Sequence, residues 1–160
     1  MPRKSPPFDI APLIIQVYRV QLGALTLRLA RRGFADFTPA FVTVMPLLDT
    51  NGVRSTALAQ RTGVTKQAMS QLIRLLQERK YVEQTPDPTD TRAKVIRLTK
   101  RGVAIRKACA EVREELNRAA LETLGERGLT KLQADLRKLI VSYMSSQNSD
   151  SQDASLPPQL

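Results

Sequence analysis

From Lys66 to Glu78 the polar and apolar positions separate when the chain is wound at about 100° per residue. Lys66, Gln67, Ser70, Gln71, Arg74, Gln77 and Glu78 fall within roughly 140° of arc, and Ala68, Met69, Leu72, Ile73, Leu75 and Leu76 fill the opposite side. The pattern predicts an amphipathic helix that buries one face and offers the other. The offered face holds amides, a hydroxyl and cations, side chains suited to reading base edges.

The flanking patterns place further elements. Residues 1–8 are Pro-rich. A helix is expected from Asp9 or Ile10 to about Arg32, with Asp9 as N-cap and Pro12 inside the first turn, where a missing amide proton costs little. Its apolar residues are not confined to one stripe, which predicts more coverage than one small core supplies and favours burial against a partner subunit. Phe34 to Phe37 form a turn. Thr38-Pro39 then reads as an N-cap and first helical position, opening a helix that carries Phe41, Val44 and Leu48 inward. Pro46 should kink or divide that helix, and Asn51-Gly52 stops it.

Ser55 is expected to cap a short helix ending at Thr62-Gly63, and Thr65 to cap the amphipathic one. Leu58, Ala59, Gly63, Val64, Met69 and Leu72 occupy the positions where a helix-turn-helix packs closely. Tyr81 to Thr85 and Ala93 to Leu98 read as strands, with Pro86 to Thr91 as the unpaired tip of a hairpin. Thr99 can cap a helix whose apolar stripe is Ile105, Cys109, Val112, Leu116 and Ala119 or Ala120. Gly125 and Gly128 break it, and a last helix carries Leu129, Leu132, Leu136, Leu139, Ile140, Tyr143 and Met144 on one face. From Ser145 the tail has little to bury and is expected to be disordered.

Charge sharpens this outline. The chain of 160 residues has a formal net charge of +10. Residues 51 to 100 alone hold ten basic against four acidic side chains, and the charges nearly balance from residue 101 onward. The excess sits on the helix-helix-hairpin segment, as binding to a nucleic acid requires. One cysteine and no histidine argue against a disulfide framework, a transition-metal site or a nucleophile-base pair, so neither a cofactor nor an enzyme is expected. Asp87 and Asp90, near a hairpin tip, read as solvated acids. No stretch of about 18 uninterrupted apolar residues is present, since Gln16, Arg19, Gln21 and Arg28 interrupt Leu13 to Leu29. The amino terminus lacks the form of a signal peptide. A cytoplasmic protein without membrane contact is the expectation.

The string Asp87-Pro88-x-Asp90-x-Arg92-Ala93-Lys94, followed by Leu98-Thr99-x-x-Gly102, resembles the wing signature of the MarR family of winged helix-turn-helix transcriptional regulators. Leu58-Ala59-x-x-x-Gly63-Val64-Thr65 matches that family's helix-turn-helix in register. The resemblance is close from about Thr38 to Gly102 and rests elsewhere on element order and length; Pro46 departs from it. It implies a mainly α fold with a small β-hairpin wing, in which a winged helix-turn-helix is flanked by N- and C-terminal dimerisation helices. The corresponding segments are an arm and dimerisation helix over 1–37, a DNA-binding domain over 38–102, C-terminal dimerisation helices over 103–145 and a tail over 146–160. It also implies a homodimeric repressor on a pseudo-palindromic operator of double-stranded DNA, with a small-molecule effector, often aromatic or phenolic, bound between dimerisation helices and winged domain.

Residues near the start of a recognition helix approach bases most closely. Gln67, Ser70 and Gln71 are therefore the candidates for direct readout, glutamine by a bidentate bond to adenine. Lys66 and Arg74 have the reach for guanine or phosphate, and phosphate is the simpler role for Lys66. Ser55 and Thr56 open a helix whose free amides attract anions, so they are candidates for the DNA backbone, although Ser55 can equally be a cap. Thr65 belongs to the same set. The resemblance places Arg92 in the minor groove, with Asp90 orienting it or bracing the hairpin, and Lys94 at phosphate; the alternative is a plain surface ion pair between Asp90 and Arg92. Cys109 invites a redox-sensor reading, but a cysteine on an apolar stripe is usually inert. Tyr18, Phe34, Phe37 and Phe41 can line an effector pocket or simply fill the core. A winged-helix module for DNA architecture or protein assembly, without a specific operator, is the alternative function.

Overall fold

A computed structural model describes residues 9–87 and 90–153, with side chains except at 91–93 and 147–153. Met1–Glu114 and Glu115–Leu160 are separate compact units. The element order is α1 (Ala11–Arg31), two short 3-10 turns (Pro39–Phe41 and Met45–Leu47), β1 (Val53–Arg54), α2 (Ser55–Thr62), α3 (Lys66–Glu78), β2 (Val82–Asp87), β3 (Asp90–Leu98) and α4 (Lys100–Asp153). The Pro-rich arm 1–8 and residues 154–160 of the tail lie outside the described residues.

The start of α1 follows the expected chemistry: the Ala11 N–H donates to Asp9 Oδ1 at 3.1 Å, and Pro12 stands in the first turn. Within one chain only part of it is covered. Leu25 and Leu29 are buried, whereas Leu13, Ile15, Val17, Tyr18 and Val20 are each at least half exposed. By length and composition this helix is also apolar enough to cross a membrane, despite its polar interruptions.

The helix expected after Thr38 is replaced by the two 3-10 turns. Pro46 lies in the second of them; in an α-helix its ring would strike the carbonyl four residues back. The β-branched run Val42-Thr43-Val44 adds a further cost to helix formation. Phe41, Val44 and Leu48 are nevertheless buried as the pattern requires.

The sheet has strand order β1-β3-β2 and both pairings are antiparallel. Strand β1 was not legible as a strand; its two residues pair Val53 with Ile96 and Arg54 with Val95. Gly52 before it has φ +97°, donates its N–H to Asp49 Oδ1 at 2.8 Å, and leaves a Cβ no room against the Arg97 side chain. A side chain there would meet both backbone strain and a clash.

Tyr81 is the centre of the first unit's core. Phe34, Phe37 and Phe41 surround its ring at centroid distances of 6.5, 6.0 and 6.2 Å, separations at which tilted and edge-on rings attract. Its hydroxyl donates to Asp36 Oδ1 at 2.6 Å, and Arg101 reaches the same oxygen at 2.8 Å. Thr99 caps α4 by accepting from the Gly102 N–H at 3.0 Å. Ile105, Cys109 and Val112 are buried as expected, whereas Leu116 is half-buried and Ala119 exposed. Gly125 (φ 67°, ψ 167°) interrupts α4, but Gly128 does not, and the helix runs past Ser145 to Asp153. In the second unit Leu132, Leu136, Ile140, Tyr143 and Met144 are exposed.

Candidate nucleic-acid interface

Helix α2 ends at Gly63, whose φ of +70° and ψ of 12° lie in the left-handed region. Glycine takes that conformation without a Cβ penalty, which lets the chain turn sharply into α3. Thr65 then caps α3, its Oγ1 accepting from the Ala68 N–H at 3.1 Å. Met69, Ile73 and Leu76 are buried, and Leu58 and Ala59 of α2 complete that packing. Val64 is an exception: 41 % exposed, it does not lock the turn as expected, and Ala68 is also exposed.

Because these contacts fix the apolar side, Lys66, Gln67, Ser70, Gln71 and Arg74 all face outward. Ser70 Oγ donates to the Lys66 carbonyl at 2.9 Å, which leaves its oxygen as an acceptor for a base donor. Arg74 lies 3.8 Å from Glu78, a loose contact between exposed side chains. Such a pair adds little stability and is readily exchanged for a polyanion.

The cap of α2 is Arg54 rather than Ser55, and no side chain caps that end. Ser55 and Thr56 instead form the first turn, Ser55 half-buried and Thr56 exposed. Thr56, Thr65 and Lys66 line one shallow cleft with Gln60, Gly63 and Val64. The helix pair thus brings the candidate backbone contacts beside the start of the readout face.

The wing is longer than expected. Pairing of β2 with β3 runs from Val82↔Leu98 to Pro86↔Lys94, then shifts to Asp87↔Asp90. Pro86 and Asp87 are therefore paired, not part of an open tip. Thr91, Arg92 and Ala93 have no counterpart on β2, so Arg92 stands at the middle of a three-residue bulge. Bulges re-aim the local backbone and its side chains. The tip residues Pro88 and Thr89, the side chain of Arg92, and any contact it makes with Asp90 lie outside the described residues. Asp90 and Lys94 are exposed.

Asp87 is not the solvated acid its position suggested. It is 6 % exposed, and Arg54 Nε and Nη2 both approach its Oδ2 at 2.7 Å. A carboxylate this buried requires a charged, hydrogen-bonded partner. The partner is 33 residues away in sequence, and no local signal pointed to it.

Away from this face, burial pushes the Cys109 thiol up, against a smaller pull from Arg113. That disfavours the thiolate on which reactivity depends. Cys109 instead lines a cavity of about 40 Å³ with Leu25, Phe37, Val42, Met45, Pro46, Arg106 and Arg113. Of the four aromatic residues considered for a pocket, Phe37 lines it, Phe34 and Phe41 pack in the core around Tyr81, and Tyr18 is exposed. No cluster of histidine, cysteine and acidic side chains able to hold a metal occurs among the described residues.

A capped helix with an outward polar face, joined through a left-handed glycine to a shorter helix and followed by a β-hairpin, defines a winged helix-turn-helix protein. Residues 35–93, which span the helix-turn-helix and most of the wing, match the MarR family model. Solved structures of the same fold include S. aureus MepR in complex with DNA, at 22 % identity and TM-score 0.70 over 84 % of this chain and 98 % of that one. A mutant of E. coli MarR complexed with operator DNA matches at 22 % identity and TM-score 0.68, over 82 % and 94 % of the two chains. A MarR-family transcriptional regulator from Rhodococcus sp. matches at 22 % identity and TM-score 0.65, over 85 % and 96 %. No curated protein matches the chain.

Proposed function

We propose that the protein is a sequence-specific, DNA-binding transcriptional regulator of the cytoplasm, a homodimeric repressor of a pseudo-palindromic operator that a small-molecule ligand releases. One observation carries the reading: α3 is locked by Met69, Ile73 and Leu76 so that Lys66, Gln67, Ser70, Gln71 and Arg74 project together into solvent. In this reading α3 enters the major groove, Gln67, Ser70 and Gln71 read base edges, and Lys66 and Arg74 neutralise phosphate or meet guanine. Ser55, Thr56 and Thr65 hold the backbone, Arg92 enters the minor groove and Lys94 meets phosphate. MepR and MarR have been captured on DNA with the same fold, which supports the assignment.

The apolar residues exposed along α1 support a homodimer, because a surface of Leu13, Ile15, Val17 and Val20 is costly to leave in water. Two winged domains about one helical turn apart would then meet successive major grooves. The cavity of about 40 Å³ supports an effector site only in an expanded form, since drug-sized ligands occupy roughly 300 Å³ or more. Release requires a ligand that prefers an opened state. The test is selection of bound duplexes from a random pool: a two-fold-related motif bound far more tightly than scrambled DNA is expected. Weak enrichment with a steep salt dependence would transfer the assignment to an architectural module.

A further inference from the structure

We propose that Arg54 is a positioning residue for the wing: through Asp87 it sets how the bulge carrying Arg92 is presented to DNA. The inference rests on the DNA-binding reading above. Arg54 holds both margins of the bulge. Its backbone pairs with Val95, beside Lys94, where regular pairing resumes after the bulge. Its guanidinium grips Asp87, whose counterpart Asp90 is the last paired residue before the bulge.

Two nitrogens converge on one carboxylate oxygen at 2.7 Å each, and the acid's side chain is 8 % exposed. Water therefore has little access with which to replace the contact, and a rigid fork fixes orientation better than a flexible ammonium. Arg54 is also the residue from which α2 begins. The same side chain thus ties the wing's outer end to the root of the helix-turn-helix, fixing the two DNA-facing parts relative to each other. An arm held in this way enters the groove without first being ordered, which lowers the cost of binding.

The rival role for Arg54 is direct contact with phosphate, because its side chain remains 46 % exposed. The two roles separate experimentally. With the full chain and the duplex recovered from the random pool, affinity is measured for Arg54→Gln, Asp87→Asn and Arg92→Ala, and for each of the first two combined with Arg92→Ala, over a salt series. Positioning predicts that Arg54→Gln and Asp87→Asn each weaken binding about tenfold, roughly 1.4 kcal/mol. It also predicts less than about a twofold further loss once Arg92 is absent, with the salt slope unchanged by Arg54→Gln in the presence of Arg92. Asp87→Asn is the sharper variant, since removing a negative charge near DNA should otherwise tighten binding. Arg54→Lys, which keeps the charge but not the fork, should show a partial loss and the parental slope, and guards against misfolding of the glutamine variant.

Equal losses with and without Arg92, together with a slope reduced by about 0.9, would overturn the proposal in favour of a phosphate contact. Tighter binding by Asp87→Asn would overturn it as well. A wild-type protein that enriches no sequence would defeat the DNA-binding reading itself, and does so before any variant is made.

Discussion

Replacing Tyr81 by Phe removes one oxygen from a fully buried aromatic side chain and leaves its ring contacts with Phe34, Phe37 and Phe41 in place. The lost bond is charge-assisted and short, 2.6 Å to Asp36, a class worth about 1.5–3 kcal/mol. Asp36 keeps Arg101 at 2.8 Å and is 35 % exposed, so water can take up the vacated lone pair. The low end of the range therefore applies: about 1.5 kcal/mol at neutral pH, or about 3 to 6 °C in Tm for a chain of this size. The variant should also change the alkaline limb. Burial, and after it the bond to Asp36, push the Tyr81 phenol up from 10.0 to about 12. The folded state thus holds a proton that the unfolded chain releases near pH 10. This contribution is complete below pH 10 and is lost as pH rises towards 12, by about 2 to 3 kcal/mol at about 1.4 kcal/mol per unit. Urea unfolding of parent and variant at one protomer concentration, from pH 7 to 11.5, should show the parent's advantage shrinking above pH 10. Parallel curves, with a difference below about 0.5 kcal/mol at pH 7, would refute the reasoning.

Arg92→Ala should weaken binding to the selected duplex at least about tenfold, near 1.4 kcal/mol, with the sedimentation behaviour of the free protein unchanged; unaltered binding at physiological salt would remove the wing from recognition. Thr65→Ala, which deletes the acceptor for the Ala68 N–H, should cost about 1 kcal/mol of stability by denaturant titration. Cys109, with its thiol pushed up by burial, should alkylate slowly at neutral pH in the folded protein and rapidly after denaturation. Cys109→Ser should also leave DNA binding equally indifferent to peroxide; a parent released by peroxide and a serine variant that is not would reinstate the sensor.

The readable parts of this protein are those whose cause is local or periodic. The register of α3 follows from a single apolar stripe, and Thr65 and Thr99 form caps with amides three residues away. Gly63 turns the chain because no other residue adopts its φ as cheaply. The parts that escaped depend on distant partners. Val53 and Arg54 form a strand only because Ile96 and Val95 supply its ladder, and Asp87 is buried only because Arg54 arrives from the far side of the sheet. After Thr38 a helix-like pattern becomes two 3-10 turns because Pro46 and the β-branched run outweigh the periodicity.

The central claim is that the outward face of α3 reads bases, and its most direct test is to repeat the random-pool selection with the Gln67→Ala, Gln71→Ala double variant. If these amides read sequence, the recovered motif keeps its two-fold symmetry and half-site spacing but loses preference at one or two positions in each half-site, each worth about 1–3 kcal/mol in the parent. A motif identical to the parent's at every position would contradict the account.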